Sequence, residues 1–378
     1  EKALYIMEEG RKGPVWLDIP LDVQGAEIEV DHLRHFTQPK PLKQDDFVFA
    51  DAILSKIRTA KAPLLLAGSS IRLSNCHEVF RRIVDALGIP VLATTCTADL
   101  LATDQPLYFG NFGILGGRAG NFLVQNADVI VSLGCRFALN QIGFCHEAFA
   151  PQSYKIAIDI DAEELKKETM RPDLPIRADL KDILPALEIC LKDAPMPEKP
   201  AWMSYARHLR EAFPILAQAK DRTGVNPYLF ADRLMSVLPA DGIVVIGSNL
   251  GGEMAIETGI RKDGQRLFCN KNCGSMGYGL PAAIGAAIAA GRPVFSLDGD
   301  GSIQMNLQEL QTIVYNRLPI KIVVCNNGGY ASIVRTQRGF FHGRLTGCTK
   351  ESGLDCPDFS KIAAAFDIPY FSIRTNSE

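Results

Sequence analysis

The chain has 378 residues, of which 47% are apolar and 22% charged, a composition typical of soluble globular domains with well-filled cores. This length indicates two or three domains. The formal net charge of −3 and the lack of a long basic run argue against a nucleic-acid-binding or membrane-surface protein.

Cysteine usage favours a reducing compartment. The ten cysteines do not form paired CxxC sets, so we interpret them as reduced and mostly buried thiols of a cytoplasmic protein. Cys269 and Cys273 form one isolated CxxxC, which gives little support to a structural zinc site without a neighbouring His or a second pair. No signal peptide and no apolar run of membrane-spanning length is visible.

The first residues have the pattern of the end of a domain. Residues 1–10, EKALYIMEEG, predict a helix, and residues 13–24, GPVWLDIPLDVQ, predict a strand with a proline at its exit. A final strand is expected within residues 366–378. We therefore expect a fragment at both ends, in which residues 1–25 are the remnant of an N-terminal domain.

Short apolar runs that alternate with helical patterns begin at residue 63. Buried strands of this kind, ending in small or oxygen-bearing residues, predict a parallel sheet covered on both faces. The predicted strands are residues 63–70, 89–95, 127–137 and 154–161, with a helix at 75–88. A polar, proline-containing stretch at residues 192–202 is interpreted as a linker.

A second set of such elements follows the linker. Strands are predicted at residues 242–249, 293–301 and 320–327, and an Ala- and Gly-rich buried helix at 277–291. The predicted fold class is therefore α/β, with two doubly wound parallel-sheet domains: a Rossmann-like middle domain at 35–191 and a second domain at 201–378.

Small and polar residues cluster where three strands of the second domain end. These segments are Gly-Ser-Asn at 247–249, Asp-Gly-Asp-Gly-Ser at 298–302 and Asn-Asn-Gly-Gly-Tyr at 326–330. A calcium-binding loop is disfavoured at the middle segment because Ile303 stands where the sharp turn requires Gly. An ordinary strand-to-helix turn, with Asn306 and Glu309 as a capping pair, is a second interpretation.

A third interpretation joins two of these strand ends in one site. Ligands of such sheets bind at the carboxyl ends of the strands, and Mg²⁺ prefers oxygen ligands that it often shares with a bound phosphate. Asp300 and Asn327 supply such oxygens, and a carbonyl near Gly329 supplies a third. Gly299 and Gly301 let backbone N–H groups approach a diphosphate. The 24 intervening residues suffice for one helix and the return strand.

The two motifs also resemble a known pattern. Gly299-Asp300-Gly301, followed after 24 residues by Asn326-Asn327, resembles the signature of thiamine diphosphate enzymes. Residues 273–286, CGSMGYGLPAAIGA, resemble the pyrimidine-holding segment of their decarboxylase-like branch. The similarity extends over essentially the whole chain and points to the acetohydroxyacid (acetolactate) synthase-like family. It implies that residues 1–25 close a pyrimidine-binding domain and that residues 201–378 bind the diphosphate and Mg²⁺.

The resemblance implies roles for individual residues. Asp300 and Asn327 would ligate Mg²⁺ through their side chains, and Gly329 through its carbonyl. Met276 would support the bent cofactor, although packing in a core is an alternative explanation of this residue. The implied cofactor-binding residues are Ser248, Asn249, Gly274, Met276, Gly299, Gly301 and Ser302.

The resemblance further implies decarboxylation or carboligation of a small 2-keto acid by a thiamine diphosphate- and Mg²⁺-dependent transferase or lyase, in a homodimer or homotetramer. In this family a Glu of the pyrimidine-binding domain activates the cofactor, and Glu1, Glu8 and Glu9 do not match its motif. No catalytic residue is therefore assigned within the chain, and residues 1–378 are expected to be inactive by themselves.

Other functions have less support in the sequence. Flavin-binding synthases of the family carry an acidic-acidic-Arg run after Arg-Phe, whereas residues 138–140 here are Ala-Leu-Asn, so the sequence does not predict FAD. A nicotinamide-dependent oxidoreductase is disfavoured because residues 64–74 contain a single Gly. A non-catalytic nucleotide-binding or assembly module on the same fold, and a related lyase that acts on an acyl-CoA, stay open as alternatives.

Overall fold

The computed structural model describes residues 1–39, 45–219 and 224–378, and it contains two parallel β-sheets with helices on both faces. The strands are β1 (Pro63–Ala67), β2 (Val91–Ala93), β3 (Tyr108–Asn111), β4 (Val129–Leu133), β5 (Tyr154–Asp159), β6 (Leu174–Arg177), β7 (Ile243–Ile246), β8 (Arg266–Cys269), β9 (Val294–Gly299) and β10 (Ile320–Cys325). The six-stranded sheet has the order β3-β2-β1-β4-β5-β6, and the four-stranded sheet has the order β10-β9-β7-β8. The predicted α/β fold class is confirmed.

Helices connect and cover these strands. The α-helices are α1 (Lys2–Glu8), α2 (Leu21–Gln24), α3 (Asp46–Thr59), α4 (Ser70–Leu73), α5 (His77–Leu87), α6 (Arg118–Asn126), α7 (Leu139–Ile142), α8 (Leu180–Asp193), α9 (Pro200–Ala212), α10 (Pro227–Val237), α11 (Leu250–Thr258), α12 (Gly279–Ala290), α13 (Asp300–Ile303), α14 (Glu309–Tyr315), α15 (Ala331–Phe340) and α16 (Phe359–Ala365). Short 3₁₀ turns lie at Val30–His32, Thr95–Thr97, His146–Ala148, Glu164–Lys166, Ile215–Gln218, Gln304–Asn306 and Lys350–Ser352. No described helix is long and apolar enough to cross a membrane.

The six-stranded sheet is buried on both faces because successive side chains of a strand point to opposite sides. On β1, Leu65 packs with one apolar cluster, under α3, α5 and α8. Leu64 and Leu66 pack with the other, under α6 and α9. All five residues of β1 are buried, as the continuous apolar run at residues 63–67 predicts for a central parallel strand.

Helix α9 packs against this first sheet, although the sequence-based division assigned residues from 201 onward to the second domain. Trp202 is 6% exposed and belongs to the apolar cluster under α6 and α9. Its indole Nε1 donates a hydrogen bond to the carbonyl oxygen of Pro63 at 2.8 Å. The chain therefore leaves the first sheet for the second after α9 rather than before it.

Asp99 ties the two sheets together. This residue follows the Thr95–Thr97 turn and is 3% exposed. Its Oδ2 accepts hydrogen bonds from Arg266 Nε at 2.6 Å and from the backbone N–H of Leu267 at 3.2 Å, both on β8. Arg72 forms an ion pair with its Oδ1 at 3.4 Å. The carboxylate is thus satisfied from both domains, as a buried charge requires.

Two predicted strands are absent from the structure. Residues 13–20 have no strand pairing, Trp16 is 91% exposed, and Leu21–Gln24 form a short helix instead. The predicted strand within residues 366–378 is also wrong, because these residues run without ladder hydrogen bonds. A strand needs a neighbour for its backbone N–H and C=O groups, and no described strand lies beside either segment. The predicted helix at residues 1–10 is confirmed as α1.

Candidate functional site

Three strands of the second sheet end at the same edge. Strands β9 and β10 pair in parallel with Gly299 opposite Cys325, and β7 and β9 pair with Ile246 opposite Leu297. The segments that follow, Gly247–Asn249, residues 300–302 and residues 326–330, therefore lie next to one another. This position at the carboxyl ends of parallel strands is the one that the sequence predicted for the ligand.

Asp300 organises the loop that follows β10. Its side chain is buried, with 2% of the residue exposed. The Oδ2 atom accepts hydrogen bonds from the backbone N–H groups of Asn327, Gly328 and Gly329 at 3.2, 2.8 and 3.0 Å. The Oδ1 atom accepts one from the N–H of Gly301 at 2.9 Å. One carboxylate thus joins the two motifs that the sequence placed 24 residues apart.

The other two predicted metal ligands lie in the same loop. The Asn327 side chain is exposed and makes no hydrogen bond within the part of the chain that the structure describes. Gly329 has φ of +147°, and a Cβ atom there would lie 2.5 Å from the carbonyl oxygen of Cys348, so only Gly fits. Its carbonyl oxygen accepts one hydrogen bond, from Ala331 at 3.2 Å. Carboxylate, amide and carbonyl oxygens are the donors that Mg²⁺ prefers.

The donor set contains a single acidic residue. Among the residues described, no group of three or more His, Cys, Asp or Glu side chains is arranged to hold a metal ion. A site of one carboxylate and two neutral oxygens fits a hard cation that takes its remaining ligands from a phosphate or water. The residues present therefore fit a magnesium ion bound together with a diphosphate.

Glycines bring the strand ends into close contact. A Cβ atom on Gly299 would lie 2.9 Å from the carbonyl oxygen of Ser248, and one on Gly301 would lie 2.2 Å from the ring of Tyr330. Asn249 has a structural role, because its Nδ2 donates to the carbonyl of Leu297 at 2.8 Å and its side-chain oxygen caps α11. Its amide is thus occupied in holding the ends of β7 and β9 together.

Ser302 and Asn306 hold the backbone of Gly277, within the segment of residues 273–286 that is predicted to hold the pyrimidine. Ser302 Oγ accepts a hydrogen bond from the N–H of Gly277 at 3.1 Å, and Asn306 Nδ2 donates to the carbonyl of Gly277 at 2.7 Å. The interpretation of Asn306 and Glu309 as a capping pair is wrong, because the N-cap of α14 is Gln308 and the Asn306 side chain points to Gly277. The side chains of Ser302 and Asn306 therefore hold Gly277 in place and do not cap the N-terminus of α14.

Gly274 and Met276 lie on the exposed side of this segment. Gly274 has φ of +61°, and a Cβ atom on it would meet no other atom within 4 Å, so its face is open. Met276 is 38% exposed, which does not agree with its alternative explanation as a core residue. Gly274 shares a small pocket with Ser248, Cys269 and Lys271. The last two of these residues were not predicted from the sequence.

A cavity of about 440 Å³ opens beside the loop after β10. Asn327 and Gly329 line one side of it, and Arg335 and Arg338 of α15 line another. Neither guanidinium forms an ion pair or hydrogen bond within the described ranges. The two arginines lie three residues apart and therefore on neighbouring turns of one helix face. The cavity thus combines two of the three predicted metal ligands with two unpaired positive charges.

Asp298 lies beneath the site and was not assigned a role from the sequence. It is fully buried, and burial raises the pKa of its carboxyl group to about 6. The backbone N–H of Gly299 donates a hydrogen bond to its Oδ1 at 3.0 Å, and its Oδ2 has no partner among the described residues. Cβ atoms on Gly247 and Gly279 would each approach this carboxylate to 2.3 Å, so both glycines are needed to make room for it.

Comparisons with known proteins agree with this geometry. Residues 50–187 match the central domain of thiamine pyrophosphate enzymes, and residues 252–378 match their C-terminal, thiamine pyrophosphate-binding domain. The first match covers all the strands of the six-stranded sheet, β1 to β6, and the second contains the loops after β8, β9 and β10. The predicted metal and diphosphate residues from Gly274 onward all lie within the second match.

Curated relatives cover the whole chain. The acetolactate synthase large subunit of Porphyra purpurea is 30% identical over 394 aligned residues, which span 100% of this chain and 64% of the relative. Isozymes 1 and 2 of the acetolactate synthase large subunit from Escherichia coli K12 are 30% and 31% identical, over 100% and 97% of this chain and 65% of each relative. The chain therefore spans less than two thirds of these relatives. It belongs to the thiamine pyrophosphate enzymes, of which it carries the central domain and the C-terminal cofactor-binding domain.

Proposed function

We propose that this chain is the central and cofactor-binding part of a thiamine diphosphate- and Mg²⁺-dependent enzyme, acetolactate synthase-like, that decarboxylates or ligates a small 2-keto acid. The observation that carries the proposal is the contact of Asp300 with the loop of Asn327 to Gly329. This contact brings the charged and the neutral oxygen donors of the family motif to one point. The names of the relatives supply the acetolactate synthase-like reaction class.

Each residue of the site has a role that follows from its position. Bound thiamine diphosphate supplies the electron sink for breaking a carbon–carbon bond next to a carbonyl group. Asp300, Asn327 and the Gly329 carbonyl would hold the Mg²⁺, and Gly299 and Gly301 leave room for the diphosphate. Met276, which is 38% exposed, would support the cofactor from the pyrimidine-holding segment. The protein therefore binds and orients, and the apolar strands beneath keep the site rigid.

The proposal extends to the assembly and to activation of the cofactor. In the family the activating Glu comes from a pyrimidine-binding domain, so we propose that residues 1–378 alone do not turn over substrate. We further propose a homodimer or homotetramer in the cytoplasm, with the cofactor between domains of two subunits. Measurable decarboxylation by residues 1–378 would contradict the first of these points, and a monomer in sedimentation of the complete enzyme would contradict the second.

The unpaired arginines indicate where an anionic group of the substrate binds. A positive charge beside the carboxylate that leaves would stabilise the substrate more than the transition state and would slow decarboxylation. Arg335 and Arg338 are therefore expected to bind an anionic group that the product retains, in the donor or in the acceptor. Such a group belongs to a dicarboxylic keto acid or to an acyl-CoA, which is the alternative donor.

Substitution of these arginines is expected to act selectively. Arg335→Gln and Arg338→Gln should each lower kcat/KM about 10-fold or more for a donor with a second anionic group, because a charge-assisted hydrogen bond contributes about 1.5–3 kcal/mol. The variants are made in the chain expressed together with an N-terminal pyrimidine-binding domain, and pyruvate, 2-oxoglutarate and an acyl-CoA are compared as donors. Lys variants are the charge-retaining controls. Equal losses on all donors, or no loss on any, would contradict this role.

Carbon dioxide release tests the proposed function directly. The chain is expressed together with an N-terminal pyrimidine-binding domain, and release from pyruvate is measured with and without thiamine diphosphate and Mg²⁺. We expect release only when both are present, and product analysis then separates acetolactate from acetaldehyde. Tight Mg²⁺-dependent binding of thiamine diphosphate without carbon dioxide release from pyruvate would mean that the donor is another keto acid or an acyl-CoA. Absence of both binding and release favours the non-catalytic module and rejects the proposal.

A further inference from the structure

A largely buried ammonium group lies next to the predicted diphosphate residues. Lys271 belongs to the loop that follows β8, and its side chain is 16% exposed. It lines the same small pocket as Ser248 and Gly274, which are two of the predicted cofactor-binding residues. The motifs in the sequence assigned no role to this lysine, so its charge at this place needs an explanation.

The strand order places Lys271 beside the cofactor-binding end of β7. The second sheet has the order β10-β9-β7-β8. Asp300 follows β9, Ser248 follows β7, and Lys271 follows β8. Because neighbouring strands lie about 4.8 Å apart, the end of β8 is one strand spacing from the end of β7 and two from the end of β9. The four-carbon stem of a lysine can cover one such spacing.

An ion pair directs the Lys271 side chain toward β7. Its Nζ donates a hydrogen bond to Glu253 Oε1, and the Glu253 side chain is 21% exposed. Glu253 lies in the first turn of α11, the helix that begins directly after Ser248 and Asn249. The ammonium group therefore extends from the end of β8 to the start of α11, on the side where Ser248 lies.

Part of this ammonium group is available to a ligand. A lysine ammonium has three N–H donors, and Glu253 accepts one of them. In the described part of the chain, the other two have no hydrogen-bond partner. The pocket has a volume of about 10 Å³, which is room for about one water-sized group. A single anionic oxygen therefore fits beside Lys271, whereas a whole phosphate group does not.

We propose that Lys271 binds one oxygen of the cofactor's diphosphate, on the β8 side of Ser248. This role rests on the proposed function, because that function supplies the diphosphate. Mg²⁺ at the ends of β9 and β10 compensates only part of the charge of a diphosphate, and an ammonium group at the end of β8 compensates more of it. Glu253 holds the ammonium in position and leaves two of its donors for the anion.

A purely structural role of the ion pair makes a different prediction. If the pair only fastens the loop after β8 to α11, loss of either partner loosens the loop, and both losses weaken anion binding. If Lys271 binds the anion, loss of the Glu253 charge leaves the cation in place and removes a repulsive charge near the anion. The two roles therefore differ in the effect of Glu253→Gln.

Titration calorimetry of magnesium pyrophosphate into the protein tests the role of Lys271, because this probe requires neither the activating Glu nor turnover. Lys271→Gln should weaken binding about 10-fold or more, as expected for the loss of a charge-assisted hydrogen bond. Lys271→Arg, which retains the charge, should lose less. Glu253→Gln should bind at least as tightly as the parent. Thiamine diphosphate with Mg²⁺ should show the same order of affinities.

Lys321→Gln is the matched control, because it removes the same charge from an exposed residue of the same sheet. Lys321 lies about 13 Å along β10 from the carboxyl end of that strand, and its substitution should leave the affinity unchanged. Circular dichroism confirms that each variant is folded, and Lys271→Met replaces the Gln variant if that variant is not.

Two results would overturn the role of Lys271. One is parental affinity of a folded Lys271→Gln protein for magnesium pyrophosphate. The other is a loss of affinity in Glu253→Gln as large as the loss in Lys271→Gln, which would show that the ion pair is only structural. A parent protein that binds no magnesium pyrophosphate would reject the diphosphate site of the proposed function, and this role with it.

Discussion

Replacing Asp300 by Asn is expected to lower the Mg²⁺-dependent affinity for thiamine diphosphate more than about 100-fold, since even the outer partners of metal ligands contribute about 10- to 100-fold. Asp300 is the single carboxylate of the predicted donor set. Asn puts a neutral oxygen and an NH₂ group in its place, and an NH₂ group cannot ligate a cation. One of the two carboxylate oxygens also holds three backbone N–H groups of the loop after β10, so metal affinity and loop geometry are lost together.

Titration calorimetry of thiamine diphosphate into the protein, with and without Mg²⁺, measures this effect. Asp355→Asn is the matched control, because the Asp355 side chain is 70% exposed and forms an ion pair with the exposed Lys350 at 3.4 Å. Its Oδ1 also accepts a hydrogen bond from the backbone N–H of the neighbouring Cys356 at 3.1 Å, which an Asn oxygen can accept as well. The control should bind as the parent does. If the Asp300→Asn protein is folded by circular dichroism and its Mg²⁺-dependent affinity for thiamine diphosphate is within threefold of the parent's, Asp300 is not a Mg²⁺ ligand.

The location of this site was predictable from local sequence because parallel strands buried on both faces read as continuous apolar runs. Strands β7, β9 and β10 were each recognised in this way, and the polar residues after them therefore pointed to one edge of one sheet. The separation of 24 residues between the two motifs does not by itself show that they meet in space. It became informative because β9 and β10 are neighbours in the sheet, which brings Asp300 to the loop of Asn327.

Features that depend on a distant partner were not predictable. Residues 13–20 have the composition of a strand, but composition does not show whether another strand lies beside them. The apolar face of α9 does not indicate in the sequence which sheet the helix covers. The structure shows that it covers the first sheet, where Trp202 donates a hydrogen bond to Pro63. Long-range packing decided both of these cases.

The two aspartates of the Asp-Gly-Asp motif also could not be told apart from sequence. Both are almost fully buried, but their hydrogen bonds differ. Asp300 accepts four backbone N–H groups, so its charge is well compensated. Asp298 leaves Oδ2 without a partner in the described structure. A buried carboxylate without full compensation favours its neutral form, and this difference leads to a second prediction.

Asp298→Asn is expected to stabilise the cofactor-free protein at neutral pH. Burial raises the pKa of Asp298 from 3.8 to about 6, so the folded state binds a proton more tightly than the unfolded state does. The stability from this proton is present below pH 3.8 and is lost as the pH rises through about 6. The full loss amounts to about 3 kcal/mol, at about 1.4 kcal/mol for each pKa unit. Asn has the same shape and no charge to desolvate. The free energy of unfolding of the Asp298→Asn protein therefore does not show this fall with rising pH.

Urea unfolding of both proteins at several pH values, in EDTA and without thiamine diphosphate, measures the difference. Relative to the parent, the variant should gain about 1.4 kcal/mol between pH 5 and pH 7.5, because most of the titration of a group with a pKa of about 6 falls in this interval. Asp18→Asn, at an exposed residue without a side-chain partner in the described ranges, should show no such gain. A difference that does not change with pH would mean that Asp298 is ionised throughout, and that ordered water or a cation compensates its second oxygen.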